Sequence, residues 1–188
     1  YFKDQVGTDS FYGGTGIDSL SFSGQATGMT INLDTNAISG GPGTGDAIDS
    51  IEILYGGTGT DTFTGSAADN QLYGGSGSAV DYLYGGDGND HIFLEEGDVA
   101  VGGADNDVFH INSNVVADQM VITDYVDGED TLVIEYDING PEPVITLVEA
   151  GNASQIHLDG VRTADIRGAI GILEVADITL LGIDRSIT

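Results

Sequence analysis

Between residues 56 and 110 one pattern returns every nine residues, and it leaves the chain few ways to fold. The copies read GGTGTDTFT (56–64), GSAADNQLY (65–73), GGSGSAVDYLY (74–84), GGDGNDHIF (85–93), LEEGDVAV (94–101) and GGADNDVFH (102–110). The third copy carries a two-residue insertion and the fifth a one-residue deletion. A regular copy opens with two glycines, places an aspartate in the sixth slot and sets an apolar residue in the eighth. The glycine-rich part must reverse the chain tightly, and glycine reaches backbone angles that a Cβ forbids. The three residues that follow suit a short strand, whose middle side chain points to one face while its neighbours point to the other. The inward positions are then Phe63, Leu72, Leu83, Ile92 and Phe109. A half-coil cannot bury such a face alone, so successive copies must stack around a thin apolar core.

The nonapeptide resembles the repeat of the RTX family of secreted bacterial proteins, which wind into a calcium-binding parallel β-roll. The resemblance implies that two nonapeptides complete one coil and that turns on one edge recur about every eighteen residues. It also implies folding on calcium outside the cell, after export by a type I system that reads an uncleaved C-terminal signal. The expected fold is all-β: a parallel β-roll or β-helix solenoid with calcium between stacked turns, closed by a C-terminal β-rich cap. Three regions are expected: irregular coils with one or two nonapeptides over 1–55, the roll over 56–112, and a capping and secretion region over 113–188.

Stacked turns bring one carboxylate and several carbonyls from each layer together, and a row of oxygens suits Ca²⁺, which takes six to eight of them at about 2.3–2.6 Å. Cysteine is absent, so thiolate sites are excluded, and three scattered histidines make a poor zinc site. The best-placed ligands are Asp61, Asp81, Asp90 and Asp107 in the sixth slot. In the second copy that slot holds Asn70 with Asp69 before it, and the fifth copy retains Asp98. Turn carbonyls of Thr58, Thr60, Asp87, Asn89 and Asn106 complete the expected donor set. Upstream, GGTGIDSLS (13–21) is a good copy and DQVGTDSFY (4–12) one without its glycine pair, which adds Asp18 and Asp9. Phe2 falls where a still earlier copy would turn inward, so the chain reads as a piece cut within a longer repeat array.

Thirty glycines and three prolines, with no sustained helical periodicity, agree with a turn-rich β chain. The charge is the dominant global property: 31 acidic against 4 basic side chains, a net −27. Without cations such a chain repels itself and stays expanded. That acidity argues against nucleic acid and anionic lipid as partners, and no apolar run approaches the ~18–20 residues of a membrane span. The N-terminus shows no signal-peptide pattern.

Outside the array, strands are expected near Met29–Leu33 and Ile48–Leu54, with SGGPGTGD (39–46) as a surface loop between them. That loop lacks the Lys-Ser/Thr pair of a phosphate cradle. DQMVITDYVDGEDTLVI (118–134) resembles the segment that closes RTX rolls, and its Asp124 and Asp130 either hold a final ion or cap turns. Further strands are expected near Val144–Val148, Gln155–Leu158 and Asp177–Leu181, and a short helix within 164–176. Tyr12, Tyr55, Tyr73 and Tyr84 occupy the ninth slot, which faces outward in the family's roll. They suit either a stacking platform for sugars or another subunit, or simple strand-edge packing.

Neither HExxH nor GxSxG occurs, and His91, His110 and His157 read as structural. Two non-enzymatic roles follow. The first is a calcium-folded scaffold within a secreted, surface (S-layer) or adhesive protein, with self-association among its expected partners. The second is the secretion-and-folding module of an exported protease, lipase or polysaccharide-modifying enzyme whose catalytic domain lies upstream.

Overall fold

The computed structural model describes residues 2–3, 8–41, 44–113, 119–167 and 173–184, the first pair by backbone alone. In chain order the early strands are β1 (Phe2–Lys3), β2 (Ser10–Tyr12), β3 (Ser19–Ser21), β4 (Thr30–Asn32), β5 (Ala37–Ser39), β6 (Ala47–Asp49) and β7 (Ile53–Tyr55). The repeat strands are β8 (Thr62–Thr64), β9 (Gln71–Tyr73), β10 (Tyr82–Gly86), β11 (His91–Leu94), β12 (Val99–Gly103) and β13 (Val108–Asn112). After them come β14 (Met120–Ile122), β15 (Thr131–Asp137), β16 (Ile145–Ala150), β17 (Ala153–Leu158), β18 (Val161–Arg167) and β19 (Ile178–Ile183).

Consecutive repeats send their strands to opposite walls. One sheet runs β1-β3-β7-β9-β11-β13-β15-β19 and is parallel throughout. The facing sheet runs β16-β17-β18-β14-β12-β10-β8-β4-β5, parallel from β18 to β4. Two nonapeptides therefore make one coil of a parallel β-roll, as the resemblance implies. Insertion and deletion are absorbed in the turns: Thr62 pairs with Tyr82 and Tyr82 with Val99, so every inward side chain keeps its face.

The register stacks the core in two files. On one wall Leu20, Leu54, Leu72, Ile92, Phe109 and Leu132 follow one another, and on the other Ile31, Phe63, Leu83, Ala100, Ile122 and Ile166 do so, all fully buried. All five residues expected to point inward are in these files. Toward the C-terminus the strands lengthen, and Leu94, Ile111 and Ile134 add a second inward file.

Residues before the array continue its coils through β3, β7 and β4. At the other end β16, β17 and β18 form an antiparallel meander, and β19 completes the all-parallel wall. The helix expected within 164–176 is corrected: residues 164–167 belong to β18, and the described helical part is a single 3-10 turn, Val175–Asp177. Ala164 and Ile166 pack into the core, so tertiary burial overrode helix propensity there. Residues 168–172 and Arg185 lie outside the described residues. Arg162 is paired with Asp165.

The four ninth-slot tyrosines do not share a face. Tyr55 and Tyr73 stack on the outside of the all-parallel wall with centroids 4.5 Å apart, and Tyr73 stacks on Phe93 at 4.0 Å. Tyr84 is on the other wall and Tyr12 on the small β2–β6 pair. Stacking turns the ring faces toward one another, which favours edge packing over a platform for sugar rings.

Candidate metal centre

The sixth-slot aspartates of the array make the same two-bond clamp to the coil before them. The Asp61 N–H donates to Asp81 Oδ1 at 2.6 Å, and the Tyr82 N–H donates to the Asp61 carbonyl at 2.9 Å. Asp98 repeats this on Asp81, and Asp61 repeats it on Met29. Met29, Asp61, Asp81 and Asp98 thus form one ladder along one edge of the roll.

The opposite edge carries a second ladder. Asp90 Oδ1 accepts the Asn70 N–H at 2.7 Å, Asp107 Oδ1 accepts the Asp90 N–H at 2.9 Å, and Asp130 Oδ1 accepts the Asp107 N–H at 3.0 Å. Asn70 sits in the same buried seat with an amide, its Oδ1 accepting from Ser66 N–H and its Nδ2 donating to the Glu52 carbonyl. Alternation of copies between walls is what sorts the aspartates into two groups.

Two seats carry residues that the repeat pattern does not single out. Glu52 Oε2 accepts the Asp18 N–H at 2.8 Å, as an aspartate would from a shorter arm. Asp46 Oδ1 accepts the Asp9 N–H at 2.7 Å, so the end of the 39–46 loop is built into the roll. The signal was present as Asp46-x-Ile48 and Glu52-x-Leu54, the carboxylate-x-apolar core without its glycine pair.

The second carboxylate oxygens differ among the seats. Asp61, Asp98 and Asp130 turn theirs to amides of their own turns, at Gly57, Glu95 and Val126. Asp46, Asp90 and Asp107 each have a buried Oδ2 with no hydrogen-bond partner. A buried, unpaired carboxylate oxygen is costly unless a proton or a cation meets it. Burial, reinforced by neighbouring carboxylates, pushes Asp81 and Asp90 up to about 7 and Asp98 and Asp107 up to about 6. Asp61 and Asp130 are raised as well, again chiefly by burial.

The remaining expected donors are distributed unevenly. The turn-to-turn hydrogen bonds use second-slot carbonyls, those of Gly57, Ser66 and Gly86. They leave the third- and fifth-slot carbonyls of Thr58, Thr60, Asp87, Asn89 and Asn106 out of that pattern. Asp69 is exposed and accepts from Asn89, whose own Oδ1 accepts from Asn106, which makes a separate fifth-slot ladder. Asp124 caps a turn, its two oxygens accepting from Gly102 and Gly103 at 2.9 Å each.

Among the described residues no three His, Asp or Glu side chains converge as a metal cluster. That is the expected result for a site supplied by one carboxylate per turn and by carbonyls, the hard oxygen set that calcium prefers. The orphaned oxygens therefore fit a divalent oxygen-seeking cation. Asp46, Asp90 and Asp107 carry those oxygens, and Asp61, Asp81, Asp98 and Asp130 in the equivalent seats would hold an ion through oxygens that also accept amide hydrogen bonds. An ion bound there would supply positive charge that lets neighbouring carboxylates stay ionised between layers.

The first glycine of each turn is required by close approach. A Cβ on Gly85 would collide with Asp90 Oδ2 and with the Gly102 carbonyl of the next coil, and Gly56, Gly65, Gly74 and Gly102 meet their own sixth-slot side chains in the same way. Gly85→Ala is expected to cost about 1–3 kcal/mol by overpacking. In calcium the melting temperature should drop by several degrees at about 2–4 °C per kcal/mol, and an unchanged value would contradict this packing.

Comparison with known proteins finds the same nonapeptide repeat. Residues 6–21, 46–80 and 78–98 match the family model of the RTX calcium-binding nonapeptide repeat, in four copies. Over those stretches the chain matches the RTX calcium-binding nonapeptide repeat, and the match covers less than half of its length. The match takes in the Asp9, Asp18, Asp46 and Glu52 seats and ends at Asp98, whereas the hydrogen-bonded ladder runs on through Asp107 to Asp130. Among solved structures, the solution structure of the AlgE6R3 subunit from the Azotobacter vinelandii mannuronan C5-epimerase is similar. It has 19% identity over 64% of this chain and 78% of that one, with a TM-score of 0.47. No curated protein matches the chain. No described helix is long and apolar enough to cross a membrane.

Raised carboxylate values set a sign for pH. In the metal-free fold Asp81, Asp90, Asp98 and Asp107 hold protons that the unfolded chain releases near its ordinary value of about 3.9. Their contribution to stability is therefore full below that value and lost as pH rises through about 6–7. Calcium bound at these seats would have to displace the same protons, so its affinity should rise between about pH 5 and 8, by up to about tenfold per pH unit for each proton displaced. Isothermal titration across that range checks both signs, and a flat affinity would place the ions elsewhere.

Proposed function

We propose that this chain is a non-catalytic, calcium-folded segment of a secreted or cell-surface bacterial protein, a stiff scaffold of the kind used in adhesive or surface layers. The observation that carries the reading is the pair of edge ladders of buried carboxylates, one from each turn, with the second oxygens of Asp90 and Asp107 left without a hydrogen bond on one of them. The net charge of −27 supports it, because a cation-free chain resists compaction until it meets high calcium outside the cell. Ions seated on the turns of Asp61, Asp81, Asp98, Asp90, Asp107 and Asp130 lock coil to coil. Asp9 with Asp46 and Asp18 with Glu52 extend the rows toward the N-terminus.

Three working regions follow the chain: coils over 1–55, the roll over 56–112 and the cap with its export signal over 113–188. Where the chain assembles with copies of itself, the Tyr55–Tyr73–Phe93 stack is the contact face. Sedimentation velocity and electron microscopy in excess calcium test the scaffold role. Ordered filaments or lattices that persist in the wild type and disappear on replacing Tyr55 and Tyr73 by Ser support it. A strictly monomeric rod, with an enzymatic domain upstream in the intact precursor, would transfer the reading to a folding module of an exported enzyme.

A further inference from the structure

The three histidines are not all scattered. His91 and His110 lie on adjacent strands, β11 and β13, with His91 Nδ1 and His110 Nε2 3.0 Å apart on the outer face of the roll. Glu135 Oε1, on the next strand, lies 3.0 Å from His110 Nδ1. His110 is also stacked on Phe93 at a centroid distance of 4.1 Å, so its ring is held from two directions. His157 stands apart on β17, in the facing sheet.

We propose that His91 and His110 form a binding site for a borderline divalent transition ion such as zinc, separate from the calcium ladders, with Glu135 as the residue that orients it. The carboxylate keeps the His110 proton on Nδ1, which leaves Nε2 as a lone pair aimed at His91. Without metal, His91 Nδ1–H donates to that lone pair. On binding, His91 moves this proton to its outer Nε2, and both facing nitrogens become ligands with no net proton released. Two Zn–N bonds of about 2.0–2.1 Å at a tetrahedral angle span about 3.3–3.4 Å. That exceeds the observed separation by a few tenths of an ångström, which a small turn of the exposed His91 ring supplies. Imidazole nitrogen selects zinc, copper or nickel, whereas the oxygen-lined turns select calcium, so one roll sorts two kinds of ion.

The test is a zinc titration by calorimetry on the full chain in excess calcium, with circular dichroism confirming that each variant keeps its calcium-dependent fold. The expected result is one zinc per chain, weakened at least about tenfold by His91→Ala or His110→Gln, and about tenfold by Glu135→Gln. The imidazole nitrogen resonances of His91 and His110 should shift while those of His157 stay in place. Absence of zinc binding in the wild type would overturn the proposal. So would binding that survives His91→Ala, which would assign the zinc to the turn carboxylates. His91 is solvent-exposed, so its variant decides the matter even where His110→Gln disturbs packing.

Discussion

Chelating calcium is expected to convert the folded roll into an expanded chain. A compact chain of 188 residues has a radius of gyration of about 16 Å, somewhat more for an elongated rod, against about 46 Å when unfolded. Each ion that binds only the folded form contributes about 2.7 kcal/mol when calcium stands at a hundred times its dissociation constant. Two such sites amount to about 5 kcal/mol, the lower end of a whole domain's stability. The facing sets Asp61, Asp81, Asp98 and Asp90, Asp107, Asp130 provide more than one place for this to happen. Small-angle scattering and circular dichroism in calcium and in EGTA read the result directly. A chain equally compact in both would remove the ladder of ions from the account.

A second substitution should change sign with calcium. Asp90→Asn keeps an oxygen for the Asn70 N–H but removes the charge whose Oδ2 is buried and unpaired. At pH 8 without calcium the variant should be more compact or more stable than the wild type, because the carboxylate there is ionised against its burial. In calcium it should be weaker, since a charged ligand is lost. A charge-assisted contact of about 1.5–3 kcal/mol corresponds to roughly a 10- to 150-fold loss of affinity at that seat. Asp90→Ala behaves differently: it also strands the buried Asn70 N–H, at a further cost of about 1–3 kcal/mol in both conditions. Parallel calcium titrations and thermal melts separate the two variants. If Asp90→Asn destabilises equally with and without calcium, the side chain acts as a backbone cap and holds no ion.

The repeat makes the architecture of the roll legible in the sequence. Glycine in the first slot, carboxylate in the sixth and an apolar residue in the eighth are local requirements of a tight turn followed by a three-residue strand. Spacing alone therefore places Phe63, Leu72, Leu83, Ile92 and Phe109 in the core, and Asp61, Asp81, Asp90, Asp98 and Asp107 at the turns. Asp46 and Glu52 escape it because their glycine signals are displaced or missing, and only pairing with Asp9 and Asp18 across the stack brings out their seats. The 164–167 segment escapes because helix propensity is local while its burial against β14 is not.

Slot chemistry belongs to the sequence: which residue bends, which points inward and which carries charge follow from neighbours a few bonds away. Partnership belongs to the tertiary structure. Within the array and on to Glu135, parallel stacking joins residues 17 to 25 positions apart, and in the coils before it 32 to 37, without changing the face. That is why Asp90 meets Asp107, and why His91 meets His110 and His110 meets Glu135, contacts that no short-range pattern encodes.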